Sequence, residues 1–562
     1  MRLSDYVIQF VENITDTIFL LSGGGIMHLV DSVRKSKKLY PVCCHHEQAA
    51  ATSAEGYARI KNDIGVCLVT TGPGGTNAVT GVAGAWLDSI PMLVISGQVK
   101  RDNIVPRKNG KPLFRALGFQ ELNVIDIVKP ITKYAVTVEK EEDIRYHLEK
   151  AVHLAKSGRP GPVWVEIPLD IQGPLDTKTG EVDPKKLQSF TPPSNSNLQS
   201  SKIPMDIIVK KLQKAKRPLL MVGNGIRLAG GEKILWQIIK KTKINVVTPL
   251  FTADDLVTYD YPFYLGRQGM PGNETANYAV DNCDLLLVIG ERLQLTQTSF
   301  NYKEFAKNAF KIMVDIDPEE MQKKTIDIDI PVCTDAKYFL QELSKRKIKL
   351  NHWDVKIQSI NPDNFQGDKH YLNVYRFQDE LSKWTNGYHV ATANGMASVT
   401  SHQALKIKKS QRFITNAGLG QMGSGLPLAI GACFANHKKP VICMEGDGSI
   451  MLNIQELQTV VHHKLPIKIF IFNNNGYYSI KATHMAYFKK TFASDPKTGV
   501  SLPDYEKVAY AWGIKYFIID NDNKLHKIKD VIKYKGPVIC ELMIDPDQPL
   551  LPKWIAGQYY AS

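Results

Sequence analysis

The sequence predicts an α/β protein built as three doubly wound parallel-sheet domains. Three observations carry that expectation. The chain is 562 residues long, too long for a single hydrophobic core. Short apolar runs recur between helical stretches, the pattern of buried parallel strands. Two polar, aperiodic stretches divide those runs into three groups.

The bulk composition excludes several classes. With 43% hydrophobic and 22% charged residues the chain lies near the globular average, so neither a disordered chain nor a coiled coil is expected. Its clean apolar stretches, such as 285–289, fall far short of the ~20 residues a membrane-spanning helix needs. No leader-like apolar block follows Met1, and the expectation is a cytoplasmic protein with no membrane partner. The net charge of +14 is spread as lysine pairs over helical surfaces. It predicts no nucleic-acid partner and at most favours anionic ligands such as phosphates. Eight cysteines without a CxxC argue against structural disulfides and a zinc site.

In the first unit, residues 1–178, strands are expected at 18–22, 40–44, 65–71, 92–97 and 163–167. The stretch 173–201 reads as a linker. The second unit, residues 200–345, carries strands at 218–222, 244–248, 285–289 and 311–316, and 345–368 reads as another connection. The third unit, residues 368–550, has strands at 413–415, 441–444, 467–472 and 538–542. Three units of one class suggest duplicated nucleotide-binding-like domains.

The richest chemistry lies in the third unit. Strand 441–444 runs into Glu445-Gly446-Asp447-Gly448-Ser449, a helix follows from about 453 to 463, and strand 467–472 ends in Asn473-Asn474-Asn475-Gly476. A right-handed crossover puts both strand ends on one edge of the sheet, so Asp447 and Asn474 can meet. A carboxylate, an amide oxygen and a backbone carbonyl are hard ligands of the kind Mg²⁺ combines with phosphate oxygens. The glycines let backbone N–H groups approach a phosphate at a helix start. A turn-rich strand end is the plain alternative. In the first unit Glu47 stands between strand 40–44 and a helix of small residues, where the helix dipole favours an acid of any purpose.

The GDG and NN pair, together with HEQAA, AEGYAR and TTGPGGTN, resembles the thiamine-diphosphate enzyme family. That resemblance implies pyrimidine-binding, central and diphosphate-binding domains in chain order. It makes Asp447, Asn474 and the Gly476 carbonyl the Mg²⁺ ligands, with Gly448 and Ser449 on the diphosphate. Asn394 and Gly395 also fall to the cofactor. In Gly418–Gly425 (GLGQMGSG) the Gly420 carbonyl would accept from the aminopyrimidine, and Met422 would hold the bent cofactor. Glu47 matches the glutamate that bonds the aminopyrimidine ring nitrogen and promotes its imino tautomer. Pro73 and Asn77 line the same half. Glu47 and Asp447 lie on different domains, so the family arrangement implies a homodimer at least, with a tetramer as the next assembly.

Nearly the whole chain is similar to acetolactate synthases, through DSIPMLVISGQV, GFQE, GRPGPVWVEIP, RPLLMVGNG and MVDIDPEE. That group decarboxylates pyruvate and adds the two-carbon unit to a ketone. Gln120 matches its active-site glutamine. Departures concern the acceptor: Thr483 stands in place of a tryptophan, Leu169 in place of a lysine, and His28 in the loop GGGIMHL. The combination GGGIMHL, HHEQAA and EIPLD resembles members from bacterial surface-polysaccharide pathways and, with these departures, points to a nucleotide-linked keto-sugar as acceptor. Acetolactate synthesis proper, simple 2-keto-acid decarboxylation or C–C hydrolysis, and a non-catalytic regulatory subunit are the alternatives. The group's non-redox FAD would be held through Gly223, Arg292 and Asp315, but Thr296 and Gln268 replace an arginine and a histidine of that pattern, which leaves FAD open.

Overall fold

The computed structural model describes residues 1–174, 180–193, 203–251, 256–356, 360–365, 367–550 and 554–558. Three six-stranded sheets follow one another along the chain, and every pairing within them is parallel. The first consists of β1 (Thr17–Leu20), β2 (Tyr40–Cys43), β3 (Gly65–Val69), β4 (Met92–Gln98), β5 (Tyr134–Thr137) and β6 (Pro162–Pro168), in the order β2-β1-β3-β4-β6-β5. The central strands β3, β4 and β6 are buried along their whole length. Helices cover both faces, so these strands read as continuous apolar runs and not as alternating ones.

The second sheet contains β7 (Pro218–Val222), β8 (Asn245–Pro249), β9 (Tyr264–Gln268), β10 (Leu285–Ile289), β11 (Phe310–Asp315) and β12 (Ile330–Cys333). Its order, β9-β8-β7-β10-β11-β12, is that of dinucleotide-binding folds, with the switch point between β7 and β10. The third contains β13 (His389–Thr392), β14 (Phe413–Thr415), β15 (Val441–Gly446), β16 (Ile467–Asn473), β17 (Lys515–Ile519) and β18 (Val538–Met543), in the order β14-β13-β15-β16-β18-β17. The first and third sheets thus share one strand order. Strands β5, β9, β12, β13 and β17 were not expected from the sequence. All but β13 are sheet edges, and polar residues dilute their apolar runs, as in YLGRQ, which is nonetheless buried at every residue.

The first and third domains share a core. Helix Gly425–Ala435 is buried at every residue and packs on helix Glu47–Lys61. Glycines allow the approach: a Cβ at Gly56 would lie 2.4 Å from the Leu428 carbonyl oxygen, and one at Gly431 1.9 Å from that of Ser53. The second domain has its own core and meets the others through polar groups. Arg159 pairs with Asp317 and Glu320, Arg292 donates to the Leu87 carbonyl, and Arg267 donates to the carbonyls of His402 and Leu405.

Two connections are more than spacers. Within 173–201, Val182 and Leu187 are buried in a core of the first domain, and the Met1 ammonium donates to the Val182 carbonyl; residues 175–179 and 194–201 of this stretch lie outside the described residues. Beyond the third sheet, Trp554 is fully buried against the second domain and donates from Nε1 to Asp281.

Candidate cofactor and active site

Strand β15 ends at Gly446, and a short helical turn begins at Asp447. The Asp447 carboxylate is 2% exposed. Its Oδ1 accepts from the Gly448 N–H at 2.7 Å, and its Oδ2 from the N–H groups of Asn474 and Gly476 at 3.1 and 3.0 Å. The crossover therefore brings Asp447 and Asn474 together as the spacing implied. Burial pushes the Asp447 carboxyl up to about 6 in spite of those hydrogen bonds. Asn474 Oδ1 is buried without a hydrogen-bond partner, and an orphaned acceptor beside a buried carboxylate is a donor set that suits a cation. Gly476 has φ +143°, and a Cβ there would sit 2.2 Å from the Ser494 carbonyl oxygen, so this turn requires glycine.

The neighbouring loops converge on the same edge. Ser449 Oγ accepts from the Gly423 N–H at 2.8 Å. Glu445 Oε1 accepts from the Leu426 N–H at 2.9 Å, and burial raises its carboxyl to about 7. Asn394 Nδ2 donates to the Gly420 carbonyl at 2.6 Å, while its Oδ1 accepts from the Gly395 N–H at 2.7 Å. Gly420 keeps a second lone pair for another donor. Met422 is half-buried in the same loop.

On the first domain, His46 caps helix Glu47–Lys61 by accepting from the Gln48 N–H at 3.1 Å. Glu47 is its first residue and is 5% exposed. Asn77, one turn into the helix that Pro73 opens, donates to Glu47 Oε2 at 2.9 Å. Gln120 has φ +64°, and its carbonyl oxygen lies 2.3 Å from where a Cβ on Gly72 would be, which sets this exposed residue against the TGPGG turn. His28 lies elsewhere, on helix Met27–Lys35, with Nδ1 3.1 Å from a Cβ built on Gly173. Its Nε2 is buried and unpartnered, and burial lowers its pKa. Thr483 is exposed on helix Tyr478–Phe488, its hydroxyl turned back to the Ser479 carbonyl.

At the switch point of the second sheet a cavity of about 400 Å³ opens toward the first domain, lined in part by Asn224, Gly225, Gly290, Arg292, Asp315 and Asp335. Gly223 packs on the Gly290 carbonyl behind it. Burial raises the Asp315 carboxyl. Gln268 is fully buried, donating to the Gln297 carbonyl at 2.6 Å. The Thr296 hydroxyl is buried without a partner.

Several supporting groups carry no sequence signal. Glu456 accepts from the His45 N–H at 2.8 Å and so ties the end of β2 to the third domain. Tyr505 donates to the Asp447 carbonyl. Asp88 binds the segment before Gly420; the DSIP motif marked its place but not its task.

Two cofactor-sized ends, an acid at a helix start in one domain and an oxygen-lined anion cradle in another, define a thiamine-dependent enzyme. The chain belongs to the thiamine pyrophosphate enzyme family: residues 1–126 match its N-terminal TPP binding domain, 205–343 its central domain and 393–542 its C-terminal TPP binding domain. Within that family it is similar over nearly its whole length to acetolactate synthase large subunits. It is 32% identical to that of Porphyra purpurea over 563 residues, 97% of this chain and 92% of the relative. It is 30% identical to that of Lactococcus lactis subsp. lactis (strain IL1403) over 563 residues, 99% and 94%. The isozyme 2 large subunit of Escherichia coli (strain K12) is 32% identical over 546 residues, 96% and 95%. The chain is a thiamine-diphosphate-dependent, acetolactate-synthase-like enzyme. The described residues include no helix long and apolar enough to cross a membrane.

Proposed function

We propose that this enzyme decarboxylates pyruvate and joins the two-carbon unit to a second 2-keto acid, forming acetolactate when that acceptor is also pyruvate. The full-length likeness to acetolactate synthase large subunits carries this reading. It replaces the keto-sugar acceptor suggested by Thr483, Leu169 and His28, for which no relative named above speaks.

The diphosphate end is assigned to Gly448, Ser449, Asn394 and Gly395. Mg²⁺ is assigned to the Asp447 carboxylate, Asn474 Oδ1 and the Gly476 carbonyl, supported by the orphaned Asn474 acceptor and the hard-oxygen donor set. When bound, thiamine diphosphate supplies the carbon nucleophile and the electron sink for decarboxylation. Glu47 then holds a proton at the aminopyrimidine ring nitrogen, oriented by Asn77. The Gly420 carbonyl would accept from the amino group, Met422 would support the ring, and Pro73 would close the pyrimidine half. Gln120 is assigned to the acceptor side; His28, packed against Gly173, takes no part in this assignment.

Among the described residues no hydrogen bond joins Glu47 or Asn77 to the Asp447 cluster. Phe119, beside Gln120, is 88% exposed, and Phe488 and Phe492 of the third domain are 70% and 75% exposed. These apolar rims support a homo-oligomer, at least a dimer, in which facing subunits complete each site. The cavity beside Asp315 and Arg292 has the size and acidic terminus for an adenine nucleotide, which supports the nucleotide half of FAD. Neither Thr296 nor Gln268 offers a cation at the other end, and the visible spectrum of the purified protein decides whether flavin is present.

The decisive assay offers pyruvate alone and pyruvate with a nucleotide keto-sugar. Acetolactate with CO₂ supports the reading. Acetaldehyde as sole product returns the enzyme to simple decarboxylation, sugar-dependent consumption restores the keto-sugar acceptor, and absence of CO₂ release points to a regulatory subunit. Fractionation of the source cells tests a cytoplasmic location.

A further inference from the structure

The segment 416–420, which delivers the Gly420 carbonyl, is gripped by the first domain through three hydrogen bonds. Asp88 follows helix Pro73–Leu87, and its side chain is 8% exposed. Its Oδ2 accepts from the Ala417 N–H at 3.0 Å and its Oδ1 from the Gly418 N–H at 2.9 Å. Asn416 Nδ2 donates to Glu55 Oε2 at 2.8 Å, and the Asn416 carbonyl accepts from the Gly420 N–H at 3.0 Å. Arg59 links the two acids, donating to Glu55 Oε1 and Asp88 Oδ2. The fit leaves no slack: a Cβ on Gly418 would lie 2.6 Å from Asp88 Oδ1 and 2.7 Å from the Leu87 Cβ.

Two parallel N–H donors on one carboxylate form a charge-assisted pair, stronger than neutral hydrogen bonds and fixed in direction. The pair orients a peptide two residues before the one whose carbonyl faces Asn394. Arg292 of the second domain approaches the same carboxylate, Nη2 to Oδ1 at 3.9 Å, so all three domains meet at Asp88.

We propose that Asp88 is a positioning residue: it sets the Gly420 carbonyl for the aminopyrimidine by clamping the N–H groups of Ala417 and Gly418. This rests on the reading that Gly420 serves the cofactor. Asp88 also lines the 400 Å³ cavity of the second sheet, but no contact with thiamine diphosphate or pyruvate is assigned to it, and its effect on turnover passes through the loop.

The test uses the full chain with Asp88→Asn, which keeps size but turns one acceptor into a donor facing N–H groups. In the cofactor-free protein, amide hydrogen exchange across 416–420 should speed up by about tenfold or more, the scale of one lost charge-assisted hydrogen bond. In the enzyme supplied with thiamine diphosphate and Mg²⁺, kcat for CO₂ release should fall roughly 10- to 100-fold, the effect of an error of about 1 Å at a reacting group. KM for pyruvate should stay within about threefold, because no substrate contact is removed. Should Asp88→Asn fail to fold, Gly418→Ala pushes the same peptide off Asp88 while leaving the Arg59 pair intact, and the same results are expected. Unchanged exchange, unchanged kcat, or a loss confined to KM overturns the proposal. If the unmodified enzyme releases no CO₂ from pyruvate, the functional reading falls and the exchange measurement alone decides the clamp.

Discussion

Substituting Gly431 by alanine tests the packing on which the whole site depends. The new Cβ would lie 1.9 Å from the Ser53 carbonyl oxygen, whereas nonbonded contact needs about 3.5 Å. Helices Glu47–Lys61 and Gly425–Ala435 would therefore have to part by roughly 1.5 Å. Both are backed by a shared core, and close-packed interiors do not yield freely. Overpacking of this kind costs about 1–3 kcal/mol. For cooperative units of about 150–250 residues each kcal/mol lowers the midpoint by about 2–4 °C, so a fall of roughly 2 to 12 °C is expected in a thermal scan. Gly24→Ala serves as the control, since a Cβ there meets nothing within 4 Å, and its midpoint should move by no more than about 2 °C. A Gly431→Ala protein that melts with the unmodified chain would refute the argument, for the two helices would then not be held at backbone contact.

Glu47→Gln should retain thiamine diphosphate in a titration, because the diphosphate cradle lies on another domain, yet lose about 10²- to 10⁴-fold in turnover; near-normal CO₂ release would remove Glu47 from its role. Asp447→Ala should weaken Mg²⁺-dependent cofactor binding, since the anionic ligand is lost, and an unchanged titration curve would count against the cradle. Glu166 is 2% exposed, and burial raises its carboxyl from 4.5 to about 7. The folded chain then keeps a proton that the unfolded chain releases above ~4.5, so the unmodified protein loses stability as pH rises through that window, by up to about 3 kcal/mol. Glu166→Gln carries no such proton, and its melting midpoint should gain on that of the unmodified protein between about pH 5 and pH 8; a constant difference would show the group to be ionised throughout.

How much was legible in the sequence depended on what each residue leans on. Buried strands such as PVWVEIP and LLLVI declare themselves because both faces are covered and nearly every position is apolar, Glu166 being the exception. YAVT and KYFII sit at sheet edges with half-exposed side chains, and their short runs look like loop. Asp447 and Asn474 could be paired in advance because one crossover joins them and crossovers have a fixed hand. Glu47 could be placed at a helix start, but its role came only from the family pattern, and its bond to Asn77 joins residues from different elements that no local spacing relates. Asp88 was hidden for the same reason. Its partners Ala417 and Gly418 are brought to it by the packing of two domains, and periodicity along the chain carries no trace of that.

The shared core of the first and third domains gives the molecule a grain. Along one joint, backbone lies against backbone with no room for even a methyl group, and the two sheets behave as a single solid. Along the other, the second domain is fastened by guanidinium groups to carboxylates and carbonyls, contacts that re-form after sliding and soften in salt. Apart from Trp554, which is buried in the second domain, the contacts described for this joint are polar, and it is the softer of the two, with the 400 Å³ cavity at its wall. The rigid joint holds the first and third sheets in fixed relation, so a change at one of them is felt at the other before it is felt at the second domain.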